Sequence, residues 1–184
     1  MLIDRSESVL VVVDCQERLA PAVAGAKAAL ANIALLLKAA ARLEVPVLVT
    51  EHYPRGIGGT VAALRPALDE AGATVVEKIH FAAPREPAFA ERFGATGRSC
   101  AVVAGMEAHV CVLQTCLGLL ASGRRVVCVA DACASRHDLD RRTALERLAA
   151  AGATIATAEM VAFEWLERGD TAAFKELIAD IKRR

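Results

Sequence analysis

The chain has 184 residues, 55% of them hydrophobic, and its 22 Lys and Arg equal its 22 Asp and Glu. This length suits one domain spanning residues 1–184, and the apolar content is enough for a large core, which excludes a disordered or low-complexity chain. The balanced charge argues against nucleic acid or an anionic membrane surface as the main partner and makes a homo-oligomer plausible.

In chain order, the apolar run Val9–Val13 predicts a first strand buried on both faces. A helix is expected from about Ala24 to Leu43, then a second strand over Val45–Val49, with Pro46 tolerable near its start. The glycine-rich stretch Pro54–Gly59 reads as a loop leading to a short helix over Val61–Glu70, and Thr74–Val76 as a third strand. The segment with Pro84 and Pro87 reads as a loop, followed by a fourth strand over Cys100–Ala104. Then come a helix over His109–Ala121, a strand over Val126–Ala130, a helix over Leu139–Ala150 and a strand over Thr154–Thr157. Two helical stretches close the chain, the last over Thr171–Lys182. The tetrapeptide Ala-Gly-Ala-Thr occurs at Ala71–Thr74 and at Ala151–Thr154, and reads as one device, a Gly ending a helix before the next strand.

The stretch Ala28–Ala41 is interrupted by Asn32 and Lys38 and is too short to span a bilayer. The first residues lack a basic region followed by an apolar one, so no secretory signal is expected. The six cysteines have neither C-x-x-C pairing nor disulfide-scaffold spacing, which points to free thiols and a cytoplasmic location.

Alternating strands and helices imply a mostly parallel sheet covered on both faces, with ligands bound outside the carboxyl ends of its strands. Asp14 follows the first strand, Lys78 the third, Cys111 the fourth, and Asp131 closes the fifth. Singly, such an Asp is usually a cap, such a Lys a solvated charge, and such a Cys a small core residue. Together at one rim, an acid, a lysine and a thiol are better explained as a site. A helix N-terminus and Lys78 are expected to lower the Cys111 pKa below that of a free thiol.

Asp14-Cys15-Gln16, Lys78, the run Gly105-Met106-Glu107-Ala108-His109-Val110-Cys111-Val112, and Asp131-Ala132-Cys133-Ala134-Ser135-Arg136 together resemble the isochorismatase-like cysteine hydrolases. That superfamily includes nicotinamidases and N-carbamoylsarcosine amidases. The resemblance covers nearly the whole chain. It implies a Rossmann-like three-layer αβα fold whose six strands are ordered 3-2-1-4-5-6. It also implies an Asp14–Lys78–Cys111 triad, an oxyanion hole from the backbone N–H groups of Glu107 and Cys111, and a cis bond between Met106 and Glu107. In that strand order the first and third strands lie roughly 10 Å apart, so Lys78 must reach inward along its stem.

Metal-dependent nicotinamidases carry an Asp-x-His set after the second strand. Here Thr50-Glu51-His52-Tyr53-Pro54 replaces it, so neither metal nor other cofactor is expected, and His52 reads as a solvated loop residue. Ala108 and His109 stand where the family often has Thr-Asp, which weighs against nicotinamide as substrate. Isochorismatases proper lack the nucleophilic cysteine, so Cys111 argues against that reaction. The expected activity is hydrolysis of a small amide-like substrate. The alternatives are a non-catalytic oligomeric scaffold or small-molecule binding protein of the same fold, and a thiol redox protein, the last weakened by the absence of an evident resolving cysteine.

Gln16, Tyr53, Ile57, His80 and Phe81 are weaker candidates for the pocket wall. Arg136 and His137 are expected to cap or to cross a subunit interface, with a structural role favoured. The Trp165 region is a candidate subunit interface, and Cys15, Cys100, Cys116, Cys128 and Cys133 are expected to pack the core.

Overall fold

The computed structural model describes residues 1–182. Six parallel strands form one sheet in the order β3-β2-β1-β4-β5-β6. They are β1 (Ser8–Val13), β2 (Val47–His52), β3 (Thr74–Lys78), β4 (Cys100–Met106), β5 (Arg125–Ala134) and β6 (Thr154–Ala156). The helices are α1 (Ala26–Leu43), α2 (Pro54–Ile57), α3 (Arg65–Glu70), α4 (Pro87–Ala95), α5 (Leu113–Ala121), α6 (Asp138–Ala150), α7 (Ala158–Leu166) and α8 (Ala172–Ile181). The fold is the three-layer α/β architecture expected, strand order included.

Period-two alternation sorts β1 and β4 between two apolar layers. Leu10, Val12, Val102 and Ala104 pack with α1, α3, α7 and α8. Val9, Val11, Val13, Ala101 and Val103 pack with α4, α5 and α6. β1 and β4 are buried along their whole lengths, as central strands of a doubly covered sheet should be.

Several element boundaries differ from expectation for local reasons. β2 starts at Val47 because Val45 closes α1, its N–H donating to Ala40 O, while the Pro46 carbonyl accepts from Leu10 N. Helix α4 occupies part of what reads as a proline loop, because Pro87 sits in its first turn, where the missing N–H costs nothing. β5 runs past Asp131 to Ala134 through an irregularity opposite Val103–Gly105. Thr157 leaves β6 to cap α7, accepting from Met160 N. Gly72 and Gly152 follow α3 and α6 with positive φ, as the repeated tetrapeptide requires.

Within the terminal helical region, Trp165 itself belongs to the core. It is fully buried and its indole N–H donates to Ser8 Oγ at 3.1 Å. No described helix is long and apolar enough to cross a membrane.

Candidate active site

The site lies at the carboxyl rim of the central strands. Strand register pairs Val13 with Thr50, Thr50 with Val76, and His52 with Lys78. Paired residues on parallel strands share a face, so Thr50, His52 and Lys78 all project toward the α4–α6 layer. Simple alternation would send the Asp14 side chain to the opposite layer. Its left-handed φ of 49° breaks the alternation, in a conformation that Asp tolerates better than most residues. The Asp14 carboxylate thereby stays beside Thr50, whose Oγ1 donates to Asp14 Oδ1 at 2.6 Å.

Lys78 spans the width of β2 to reach it. Its Nζ lies 2.7 Å from Asp14 Oδ2, both side chains fully buried. The two meet as an ion pair without a well-directed hydrogen bond, which leaves Oδ2 with acceptor capacity. Nζ also donates to the carbonyls of His80 at 3.2 Å and Phe81 at 3.3 Å. The turn supplying those carbonyls is clasped from outside by Glu86. Its Oε1 accepts from Ile79 N, His80 N and His80 Nδ1, bonds that hold the Glu86 carboxyl down to about 2. The next segment is tied to α5 by Ala83 N donating to the buried Thr115 Oγ1 at 3.0 Å. The lysine loop and the helix following Cys111 therefore form one braced unit.

Cys111 sits in a wide turn, Ala108–Val112, between β4 and α5, where Glu107 O accepts from Val110 N at 3.1 Å and Val112 N at 3.2 Å. Such π turns recur at functional sites. The Met106–Glu107 peptide is cis. Gly105 makes the approach to β1 possible: with φ of 135°, a Cβ there would fall on the Val13 carbonyl oxygen.

The Cys111 thiol is 6% exposed, and Asp14 and Lys78 both act on it. Burial, followed by the like charge of Asp14, pushes it up to about 12, with Lys78 pulling the other way. This reverses the expectation of a lowered pKa. The lysine charge is already engaged by Asp14, and desolvation of the thiolate outweighs what remains.

The pocket candidates separate. Gln16 does not wall a pocket: it is fully buried, its Nε2 donates to His52 O and Gly58 O, and its Oε1 accepts from His52 N. It is a strut for the β2–α2 loop. Tyr53, His80 and Phe81 are exposed on loops at the rim, with Ile57 half-buried nearby. His52 is not a solvated loop residue; it ends β2, its ring stacks on Phe81 with centroids 5.2 Å apart, and its Nδ1 is buried without a hydrogen-bond partner. Burial and then the Lys78 charge lower its pKa, favouring the neutral ring. Asp131 lies away from the site, within β5, with Oδ1 accepting from Ala158 N and its carbonyl from Asn32 Nδ2. Thr50 is the site residue that sequence reasoning missed; its one signal is a hydroxyl ending the apolar run of β2. Among the described residues no group of three or more His, Cys, Asp or Glu is arranged to hold a metal ion. Cys15, Cys100, Cys116, Cys128 and Cys133 are all buried and unpaired, as expected of packing residues.

A Rossmann-like sheet with a buried Asp–Lys pair and a cysteine at its carboxyl rim defines a class of α/β proteins with a cysteine-centred site. The isochorismatase domain matches residues 8–160. Isochorismatase domain-containing protein 2A of Mus musculus is 36% identical over 176 residues, covering 95% of this chain and 82% of its own. The structure of MAR1 ribonuclease from Caenorhabditis elegans is 32% identical with a TM-score of 0.92, covering 99% of this chain and 93% of that one. The YcaC gene product of Escherichia coli, an octameric hydrolase of unknown specificity, shares the fold with a TM-score of 0.90 at 24% identity, covering 98% of this chain and 90% of its own. The chain belongs to the isochorismatase-like hydrolase family.

Proposed function

We propose that this protein is a cysteine-dependent hydrolase acting on a small amide-like substrate, with Cys111 as nucleophile, Asp14 as general base and acid, and Lys78 as the charge paired with Asp14. The observation carrying this reading is the fully buried Asp14–Lys78 pair acting on a thiol at the sheet rim. With the thiol near 12, Cys111 rests protonated and is activated as it attacks. Its sulfur bonds to the substrate carbonyl carbon while its proton passes to Asp14. The oxyanion is met by the backbone N–H groups of Glu107 and Cys111. Asp14 returns the proton to the leaving nitrogen, the C–N bond breaks, and a thioester remains on Cys111. Water then attacks the thioester, losing its proton to Asp14, and the acid departs as the thiol is restored.

The test is a panel of small amides, carbamoyl compounds and RNA, scored by ammonia, amine or nucleotide release, with mass spectrometry for an acyl adduct on Cys111. RNA is included because the similar worm protein is named a ribonuclease. Amine release that disappears in Cys111→Ala supports the reading; RNA cleavage that survives Cys111→Ala overturns it. No turnover on any arm, with no adduct, leaves the scaffold reading in its place.

The zero net charge and the exposed Met160 and Phe163 on α7 further support a homo-oligomer, and the free thiols a reducing, cytoplasmic setting. A light-scattering mass equal to one 19.4 kDa chain at all concentrations overturns the assembly.

A further inference from the structure

We propose that Ser135 and Arg136 are positioning residues for acyl transfer: from the β5–α6 connection they grip the Glu107–Cys111 turn at two points and hold its backbone donors in place. The inference rests on the acyl-transfer reading above.

The first grip is on Glu107. Its Oε1 accepts from both the backbone N and Nε of Arg136, each at 3.0 Å. The second is on His109, whose Nδ1 lies 3.0 Å from the Oγ of Ser135. Ser135 is 2% exposed and the Glu107 side chain 7%, so each contact has one buried end, while the Arg136 side chain is 56% exposed. On its far side the His109 ring has only the looser approach of Nε2 to Asp140 Oδ2, at 3.9 Å. Strand geometry makes the grips possible. The irregularity in β5 brings Ala134 into register with Met106, so the next residues of each strand leave the rim side by side.

Two physical reasons give these contacts a role in catalysis. The turn departs from regular α-helical bonding: the Glu107 carbonyl accepts from both Val110 N and Val112 N, and Leu113 N donates to Ala108 O and Val110 O, so contacts from outside add to what fixes its backbone. Donors meeting a developing oxyanion are effective only when fixed in advance. The second reason is charge. Glu107 contributes one of the proposed N–H donors, yet carries a carboxylate on the same residue. Left alone, that carboxylate would oppose negative charge growing nearby; the Arg136 N–H and guanidinium offset it at its buried end, although the guanidinium itself is partly screened by water.

The test separates oxyanion formation from nucleophile reactivity. With p-nitrophenyl acetate, the Cys111 sulfur bonds to the acetyl carbon, the thiol proton passes to Asp14, and p-nitrophenolate leaves through an oxyanion. With iodoacetamide, sulfur displaces iodide from carbon and no oxyanion forms. Both rates are read at Cys111 by mass spectrometry in a single turnover. Arg136→Met is expected to slow acylation ~10-fold, a fraction of what loss of an entire oxyanion donor costs. Ser135→Ala should slow it less, and alkylation should hold within about twofold in both, which also reports that the variants fold. Adding Glu107→Gln to Arg136→Met should recover part of the lost acylation rate, a result that loss of packing alone would not produce. Acylation unchanged in both single variants, or acylation and alkylation falling together, overturns the inference. Absence of acylation in the unsubstituted chain, with alkylation intact, overturns the acyl-transfer reading itself and this inference with it.

Discussion

The Cys111 thiol sits near 12, against an ordinary value of 9.0. Three units lower the thiolate fraction at neutral pH about 1000-fold. The more basic thiolate is intrinsically more nucleophilic, which returns about 20-fold for a Brønsted slope of ~0.45. Cys111 in the resting protein should therefore react with iodoacetamide roughly 50-fold more slowly than a free thiol at pH 7. The assay is the initial alkylation rate of the Cys111 peptide, followed by mass spectrometry across the alkaline range. The logarithm of the rate should climb with unit slope well past pH 9, the ordinary thiol value. Asp14→Asn removes the like charge and should speed alkylation, while lowering turnover by roughly 100- to 10,000-fold through loss of the general base. Lys78→Met removes the one favourable charge and should slow alkylation further. A plateau below pH 8 would show a standing thiolate paired with Lys78, and slower alkylation in Asp14→Asn would show that Asp14 does not raise the thiol; either result refutes the reasoning.

Further expectations concern the supports of the site. Thr50→Val leaves Asp14 Oδ1 without its hydroxyl donor in a buried site, a loss of about 1–3 kcal/mol measurable by urea unfolding. Gly105→Ala places a Cβ on the Val13 carbonyl at a φ of 135°, so expression should yield little folded protein by circular dichroism. The elevated thiol of Cys111 adds to alkaline lability: a group with a raised folded pKa contributes stability below its unfolded value and loses it as pH rises from 9.0 toward about 12. At pH 10 the loss is on the order of 1 kcal/mol, and thermal scans of Cys111→Ala should show a correspondingly smaller drop between pH 8 and pH 10. Turnover of any substrate found should survive prolonged chelator treatment; loss with rescue by zinc contradicts the metal-free scheme.

Apolar runs make the sheet legible in the sequence, because a strand buried on both faces needs little besides β-branched and small residues, as in Val9–Val13 and Cys100–Ala104. The positions of Asp14 and Cys111 beyond their strands and of Lys78 at the rim are legible for the same reason, although β3 extends through Lys78 instead of ending at Val76. Helix α4 is not, since Pro87 reads equally as a loop residue and as the first residue of a helix. Thr50 is hidden because its role depends on register with Val13 and on the φ of Asp14, neither of which local composition records. Gln16 misleads for a related reason: a polar residue at the rim faces either ligand or backbone, and here two backbone carbonyls take both its N–H groups and a backbone N–H donates to its oxygen. The Cys111 pKa is the clearest reversal. Sequence places a lysine and a helix start near the thiol, but only the folded chain shows the lysine engaged by Asp14 and the sulfur removed from water.

That engagement bears on why the pair is present at all. A fully buried carboxylate and ammonium are a poor stabilising device, because desolvation takes back most of their attraction and apolar residues of similar size often serve the fold as well. The surrounding sheet is otherwise built from such residues: Val11, Val13, Leu48 and Val76 pack on the same face without polar atoms. Placing Asp14 and Lys78 there also requires a left-handed aspartate, a threonine donor and a loop wrapped around the ammonium. A fold that departs from its own apolar pattern at one rim, and braces the departure from three sides, fits the proposed role of Asp14 as proton acceptor. In the proposed scheme Lys78 is paired with Asp14 beside a thiol that burial keeps protonated. The resting site then carries no free thiolate open to oxidation, and charge is rearranged only when a carbonyl arrives to receive it.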